Sequence, residues 1–292
     1  MTCPDAVPAA LPAAASPAGP WELMDAAQLV LAVHAHPDDE SLSTGALLSS
    51  LVAAGTRVVL VTATRGEEGE IVAGSVAADD PRPLEEIREH EIEAATRALG
   101  ISERFWLGTA PALAPGASPR RYRDSGMRWI REGLAGPSET AGADSFSHRP
   151  LEQAVEDLAA LIAQLQPDVV IGYDDAGTYG HPDHVRAHHV MAGACARTGT
   201  PMVEVASEIP DAPSDGQVVA VAATDADAGT SADIHGFSWR EQPASAEAVR
   251  HAVDAYRTQL TVVGEAPRGI AIRHVGGQDD VVELRTGLRL SR

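Results

Sequence analysis

The stretch AVHAHPDDESLSTG, residues 32–45, concentrates titratable side chains directly after an apolar run. His36, Asp38, Asp39 and Glu40 all lie in its HPDDE segment. Carboxyl groups this close raise each other's pKa unless a positive charge compensates. An aspartate at a helix start is a good N-cap, which accounts for one acid but not for two acids and a histidine. The stretch therefore favours a chemical site over a purely structural turn.

A second motif, YGHPDH at residues 179–184, repeats the His-Pro-Asp order. His181 and His184 are three residues apart at a predicted helix start, so they can share a face. Imidazoles and carboxylates supplied by two separate turns are what a metal site with an open position requires. The two motifs together predict a site for one divalent metal, with Zn²⁺ as the first choice and Fe²⁺ as the second.

The elements around the motifs predict where they meet. Apolar runs at 28–35, 57–64 and 167–173 are typical of buried parallel strands, and 103–108 is a further short strand. Helical patterns follow at 42–55, 83–100 and 151–166, and another helix begins within HPDH. This alternation predicts an α/β fold with a Rossmann-like, doubly wound and mainly parallel sheet. Ligands bind such sheets at the carboxyl ends of the strands, and both motifs follow strands there.

The remaining chain predicts three further regions. Residues 1–26 are Ala/Pro-rich and read as a flexible leader without the basic start of a signal peptide. Residues 27–200 form the catalytic α/β domain, with a Pro/Gly-rich surface insertion at about 109–150. Residues 201–292 form a smaller C-terminal α+β subdomain, with short strands around a helix at 245–260, packed on the same domain.

Composition excludes several classes of partner. A formal net charge of −20 over 292 residues, without a basic cluster, argues against nucleic acid and anionic membranes. No apolar stretch is long enough to span a bilayer. Two cysteines fit a reducing cytoplasm. G-x-G-x-x-G, G-x-S-x-G and phosphate-loop motifs are absent, so dinucleotide binding is not predicted. A homo-oligomer is left open.

The residue types predict metal-dependent amide hydrolysis. If His36, Asp39 and His184 hold the metal, bound water becomes acidic enough to supply hydroxide at neutral pH. Asp38 is then free to act as general base. His181, protonated because acids lie near it, can stabilise an oxyanion. Two histidines and a carboxylate also describe the facial triad of non-haem iron oxygenases, which remains an alternative.

Three other titratable residues have competing interpretations. Glu70, in RGEEGE after the second strand, either reaches the same mouth or belongs to a solvated acidic loop. His34 is expected on the sheet face. His188, one turn beyond His184, is a rival ligand that lies deeper along the helix.

The two motifs resemble those of the LmbE-like, or PIG-L, family of metal-dependent N-acetylglucosaminyl deacetylases. The stretches HAHPDDESLSTG, TRGEEGE, REHEIEAATRALG, RDSGM and YDDAGTYGHPDHV are also similar to that family, over about residues 29–197. The resemblance implies an N-acetylglucosamine-containing small molecule as substrate. It also implies residue roles: His36, Asp39 and His184 bind the metal, Asp38 is the base, His181 and Tyr179 stabilise the oxyanion, and Arg88, Asp124 and Glu70 hold sugar and inositol hydroxyls.

Within the family, the motifs look like the branch that deacetylates an N-acetylglucosaminyl-inositol in mycothiol biosynthesis. The alternative branch, mycothiol S-conjugate amidases, typically has a lysine where this chain has Ser43. The segment between Glu70 and Arg88 is shorter than expected, and residues 128–150 have no clear counterpart. A non-catalytic carbohydrate- or metal-binding protein is the alternative of a different class, and the presence of Asp38 and His181 counts against it.

Overall fold

The computed structural model describes residues 19–131, 134–139, 141–207, 231–232 and 236–291. Its helices are α1 (Pro20–Ala26), α2 (Asp39–Leu42), α3 (Gly45–Ala53), α4 (Leu84–Ala98), α5 (Leu151–Leu165), α6 (Gly177–Gly180), α7 (Pro182–Thr198) and α8 (Ala246–Ala255). Its strands are β1 (Leu29–His34), β2 (Arg57–Thr62), β3 (Glu103–Trp106), β4 (Met127–Arg131), β5 (Leu134–Pro137), β6 (Val169–Tyr173), β7 (Met202–Val205), β8 (Ser231–Ala232), β9 (Ser238–Glu241), β10 (Leu260–Ala266), β11 (Gly269–His274), β12 (Asp279–Glu283) and β13 (Arg285–Leu290).

A mixed sheet forms the centre, with the strand order β3-β2-β1-β6-β7-β13-β9-β8 in the described residues. The first five of these strands run parallel, and the last three pair antiparallel. The four strands predicted at 28–35, 57–64, 103–108 and 167–173 are confirmed. Because β1 and β6 are parallel neighbours, the turns that follow them lie at the same edge of the sheet.

Helices cover both faces of the sheet, and each face has its own apolar core. Val30 and Ala32 of β1 join a core with α3, α4 and α8, whereas Leu31 and Val33 join another with α5 and α7. Alternate residues of a strand point to opposite faces, so a strand buried on both sides reads as a continuous apolar run. This explains why β1 and β6 were recognisable without any polar alternation.

The predicted leader is wrong for its last residues. Pro20–Ala26 form α1, whose Trp21 and Met24 are buried in the core. The Trp21 indole N–H donates to the carbonyl of Ser238 at 2.8 Å, which ties this helix to the C-terminal part. Residues 1–18 lie outside the described part of the chain.

The predicted boundary at residues 200–201 does not fall at an edge of the sheet. β7 pairs in parallel with β6, with Ile171 opposite Val203, and β13 continues the same sheet beyond β7. A small separate sheet, β10-β11-β12, supplies the rest of the C-terminal part. The helix predicted at 245–260 is confirmed as α8 but ends at Ala255. Part of the predicted C-terminal subdomain, residues 208–230 and 233–235, lies outside the described residues.

The predicted surface insertion at about 109–150 contributes to the core. Its Tyr122 and Phe146 are fully buried against each other, and the Tyr122 hydroxyl donates to Asp157 Oδ2 at 2.8 Å. It also contains the β4-β5 hairpin. Pro/Gly richness indicated turns correctly, but it did not reveal these two aromatic anchors. Among the described helices, none is long and apolar enough to cross a membrane.

Candidate active site

The two His-Pro-Asp turns meet above the carboxyl ends of β1 and β6. His36 follows β1 and His184 lies in the first turn of α7, yet His36 Nδ1 and His184 Nε2 are only 3.2 Å apart. The turn after β1 is sharp because Asp38 has a φ of 106°, outside the range that side chains favour. Its backbone N–H is received by Glu40 Oε2 at 3.2 Å. Strained conformations of this kind persist where the surrounding structure holds them.

The side chains of His36, Asp39 and His184 form a small triangle at this meeting point. Asp39 Oδ2 is 3.3 Å from His36 Nδ1, and Asp39 Oδ1 is 3.2 Å from His184 Nε2. Tetrahedral zinc with bonds of about 2.0–2.1 Å keeps its ligand atoms about 3.4 Å apart. His36, Asp39 and His184 therefore lie at the spacing that a small divalent cation requires.

The His36 ring is oriented by carboxylates on its other side. Its Nε2 is 3.2 Å from Asp183 Oδ2 and 3.6 Å from Asp124 Oδ1. Burial would lower the pKa of His36, but Asp124, Asp183 and Asp39 together raise that pKa well above its usual value. A carboxylate that receives the distal N–H leaves the other ring nitrogen free to bind a metal. Grouping His36 instead with Asp124 and Asp183 as ligands is disfavoured, because both acids face this distal nitrogen.

The His184 ring is oriented by Thr178. The Thr178 hydroxyl donates to the Gly177 carbonyl at 2.6 Å, so it receives the N–H of His184 Nδ1, also at 2.6 Å. This pair leaves Nε2 without a proton and directed at the triangle. Thr178 has a φ of 60°, which is unfavourable for a β-branched residue. Its backbone N–H donates to Ser207 Oγ at 2.6 Å, which helps to hold that conformation.

Asp39 is kept ionised by its surroundings. Its Oδ2 receives the backbone N–H of His36 at 2.7 Å and the Tyr173 hydroxyl at 2.6 Å. Burial alone would raise the pKa of Asp39, but His184 and His36 hold that pKa well below its usual value. The carboxylate is thus prepared to accept a cation.

Asp38 lies beside the triangle and faces the buried guanidinium of Arg88. Arg88 Nη2 donates to Asp38 Oδ2 at 2.9 Å and to the Pro37 carbonyl, while Nη1 donates to the Gly66 carbonyl at 2.9 Å. Burial raises the pKa of Asp38 to about 7, although Arg88 opposes the shift. A carboxylate with a pKa near neutrality suits general acid–base chemistry.

His181 is the N-cap of α7, and its ring lies 4.7 Å from that of His36 and 4.8 Å from that of His184. Its Nδ1 receives the backbone N–H of Asp183 at 3.2 Å, so a neutral ring carries its proton on Nε2. The expectation of a protonated His181 is not met. Burial lowers the pKa of His181 to about 2, and His36 and His184 add to this effect, whereas Asp124 and Asp39 oppose it. Desolvation outweighs the nearby acids, and His181 is a neutral donor.

Tyr179, which was predicted to assist His181, and the three residues predicted to hold substrate have different surroundings. Tyr179 is 39% exposed, and its ring lies 6.0 Å from that of His181. Asp124 is buried beside His36. Burial alone would raise the pKa of Asp124, but His36 holds that pKa well below its usual value. Arg88 is engaged with Asp38. Glu70 is exposed, and its backbone carbonyl receives the Gln259 amide at 3.2 Å.

The rival histidines are engaged elsewhere. His34 Nε2 lies 2.9 Å from Thr44 Oγ1, on the sheet face as expected. His188 Nδ1 lies 3.0 Å from the Tyr173 carbonyl, so this nitrogen is not free to bind a metal.

Sequence reasoning missed four supporting residues: Asp183, Ser125, Thr178 and Tyr173. Asp183 is fully buried and receives both the backbone N–H of Ser125, at 2.9 Å, and its hydroxyl. The repeated His-Pro-Asp order was a signal for Asp183, and RDSGM contained Ser125. Thr178 and Tyr173 had no local signal, because their roles depend on partners from other elements.

Comparison with known proteins now adds a family. The sequence model of the GlcNAc-PI de-N-acetylase (PIG-L) family matches residues 31–195. A 1D-myo-inositol 2-acetamido-2-deoxy-alpha-D-glucopyranoside deacetylase of Nocardioides sp. is 41% identical over 177 residues, covering 60% of this chain and 56% of that protein. The protein of the same name from Kineococcus radiotolerans is 40% identical over 173 residues, covering 59% and 46%. The chain spans about half the length of the curated relatives that it matches.

Solved structures show the same fold. N,N'-diacetylchitobiose deacetylase from Pyrococcus horikoshii has a TM-score of 0.52 at 18% identity, covering 82% of this chain and 73% of that one. A deacetylase–teicoplanin complex from teicoplanin biosynthesis has a TM-score of 0.52 at 16% identity, covering 90% and 98%. These likenesses concern the mixed sheet with its parallel strands and helices. The family match is longer than half the chain and includes both His-Pro-Asp motifs, and the chain therefore belongs to the GlcNAc-PI de-N-acetylase (PIG-L) family.

Proposed function

We propose that this chain is a metal-dependent amide hydrolase that removes the acetyl group of an N-acetylglucosaminyl-inositol in mycothiol biosynthesis. The observation that carries the proposal is the triangle of His36, Asp39 and His184 with the carboxylate of Asp38 beside it. The names of the relatives from Nocardioides and Kineococcus support the substrate. The HPDDES and HPDH motifs, which resemble those of metal-dependent deacetylases, support amide hydrolysis.

The donor set fits zinc, and ferrous iron is the second candidate. Two imidazole nitrogens and one carboxylate at this spacing are ligands for either metal. When bound there, the metal supplies a Lewis acid and lowers the pKa of water to near neutrality. A parallel α/β scaffold and the spare carboxylate Asp38 favour hydrolysis over the oxygenase chemistry that shares this ligand count.

Asp38 is the general base in this proposal. Its carboxylate takes a proton from the attacking water and returns it to the leaving amine of the sugar. Arg88 keeps the carboxylate in place through Nη2, and its own guanidinium is almost completely buried. We therefore assign Arg88 to the support of Asp38, since its burial leaves little surface for the sugar contact that the resemblance implied.

His181 acts as a neutral hydrogen-bond donor. With Nδ1 occupied by the Asp183 N–H, the proton on Nε2 is available to the oxygen of the scissile amide as negative charge develops. Tyr179, close to His181 and partly exposed, can add its hydroxyl from the mouth. Asp124 remains the proposed contact for substrate hydroxyls, and Glu70 stays a prediction.

The amidase acting on mycothiol S-conjugates is the alternative in the same class. The absence of a lysine at Ser43 and the names of the relatives favour the deacetylase. We further propose that β1, β2, β3, β6 and β7, with helices on both faces, form a Rossmann-like doubly wound unit for residues 27–200. The C-terminal residues complete its sheet. Cytoplasmic location and oligomeric state stay predictions.

The test is a comparison of two substrates with zinc and ferrous iron in parallel. Purified protein should release free amine and acetate from N-acetylglucosaminyl-inositol faster than it cleaves a mycothiol S-conjugate. Asp38→Asn should retain one metal and lose about 10²–10⁴-fold in kcat, since general-base help is worth that much.

Three results would contradict the proposal. Faster cleavage of the S-conjugate would assign the chain to the amidase alternative. Full activity of Asp38→Asn would show that Asp38 is not the general base. Oxygen consumption with an organic co-substrate would favour the oxygenase alternative.

A further inference from the structure

The β4-β5 hairpin presents large apolar side chains beside the polar site. Trp129 is 53% exposed and Ile130 is 60% exposed, in a chain with only four tryptophans. Indoles are mostly buried in folded proteins, because their apolar area is large. Exposed apolar groups next to a polar site often mark a surface that contacts a ligand.

The hairpin is fixed against the turn that carries Tyr179. A Cβ atom at Gly180 would lie 2.9 Å from Leu134 Cδ1, so β5 packs directly on that turn. Gly180 also has a φ of 79°, which favours glycine. Trp129 is paired with Ala135 across the hairpin. The packing of β5 against the Tyr179 turn therefore helps to set the position of the indole relative to Tyr179.

A row of rings leads from the proposed metal ligands to Trp129. The Tyr179 ring lies 5.7 Å from His184, and the Trp129 ring lies 5.5 Å from Tyr179 at an interplanar angle of 38°. Each step is an ordinary ring-to-ring distance. A ligand made of two linked six-membered rings can place one ring near Tyr179 and the next near Trp129.

We propose that Trp129, with Tyr179, forms an outer subsite for the second ring of a two-ring substrate. This inference rests on the proposed function and names the part of the substrate that the catalytic residues do not contact. The C–H face of a sugar or cyclitol ring is apolar and slightly positive, which suits the negative face of an indole. Ile130 does not belong to the subsite, because its side chain lies over Gly136 of the hairpin itself.

The experiment compares a two-ring substrate with a one-ring substrate. Trp129→Ala should raise KM for N-acetylglucosaminyl-inositol about tenfold with little change in kcat. It should leave kcat/KM for N-acetylglucosamine unchanged, and Trp129→Phe should restore most of the loss. Ile130→Ala, an equally exposed neighbour, is the matched control and should behave as the wild type.

Binding gives a second readout that does not need turnover. Zinc-loaded Asp38→Asn protein should show a change in tryptophan fluorescence with N-acetylglucosaminyl-inositol, and the change should disappear in the double variant with Trp129→Phe. An equal loss on both substrates, or no loss on the two-ring substrate, would overturn the subsite. If the wild type hydrolyses neither substrate, the proposed function fails, and the binding result alone decides the subsite.

Discussion

The tripeptide His-Pro-Asp occurs at residues 36–38 and at 181–183, and the two copies have different geometry. In the first copy the histidine is one corner of the triangle, and the aspartate lies beside it and pairs with Arg88. In the second copy the histidine caps α7, and the aspartate turns inward to His36 and Ser125. The metal ligand that we propose for the second copy comes one residue later, as His184.

The difference comes from the backbone path after each strand. The first copy follows β1 almost directly and bends at Asp38, where φ is 106°. The second copy is separated from β6 by the turn that contains α6, and it begins a long helix at Pro182. Identical residues therefore take different roles because the chain brings them to the site from different directions. Four sets of variants in and around the two copies test this interpretation.

Replacing His36 should lower the metal content of the protein, whereas replacing His181 should leave it unchanged. His36→Ala removes a ligand, so the purified variant should hold well below one equivalent of zinc. His181→Ala should keep the metal and lose about 10²–10³-fold in kcat, as expected for loss of an oxyanion donor. Metal analysis and kinetics on the same preparations check both. Metal loss in His181→Ala would place that ring among the ligands.

Asp183→Asn should weaken metal binding although Asp183 is not a ligand. The charged partner of His36 Nε2 is lost, and supporting partners of this kind are worth about 10–100-fold in metal affinity. Competition with a chelator measures the change. Asp168→Asn is the matched control, because Asp168 accepts backbone N–H groups at the amino end of β1. An equal loss of affinity in both variants would contradict the assigned role.

Thr178→Val should lower metal affinity by about tenfold, the smaller end of the same range. The valine keeps the shape but cannot receive the N–H of His184 Nδ1. Thr178→Ser keeps the hydroxyl and should retain the affinity. Thr178→Gly relieves the strain at a φ of 60° yet still loses the hydroxyl. Recovery in the glycine variant would show that strain, rather than the hydrogen bond, controls this ligand.

Tyr256→Phe should mainly affect stability, by about 1–3 kcal/mol, because a buried carboxylate loses a donor. The Tyr256 hydroxyl donates to Glu40 Oε1 at 2.7 Å and ties the turn just after the first copy to the C-terminal part. Urea denaturation measures the free energy of unfolding. Tyr122→Phe loses a similar bond to Asp157 and should cost about as much. Only Tyr256→Phe should also change kcat, by a few-fold.

The parallel strands were predictable because burial on both faces leaves a continuous apolar run. The antiparallel continuation of the sheet is harder to predict, because Arg285 and Arg289 interrupt the apolar pattern of β13. The sequence does not predict α1, because Trp21 and Met24 follow a long Ala/Pro-rich segment that is typical of a flexible leader. Their burial depends on β13, which lies far away in sequence.

The sequence by itself determined which residues could bind a metal and which edge of the sheet they share. That information is local, since it depends on residue type, spacing and the apolar runs before each turn. Only the tertiary structure decided which nitrogen of each ring faces the triangle, through Asp183 for His36 and Thr178 for His184. It also decided that His181 is neutral, because the balance between burial and nearby acids depends on packing from several elements.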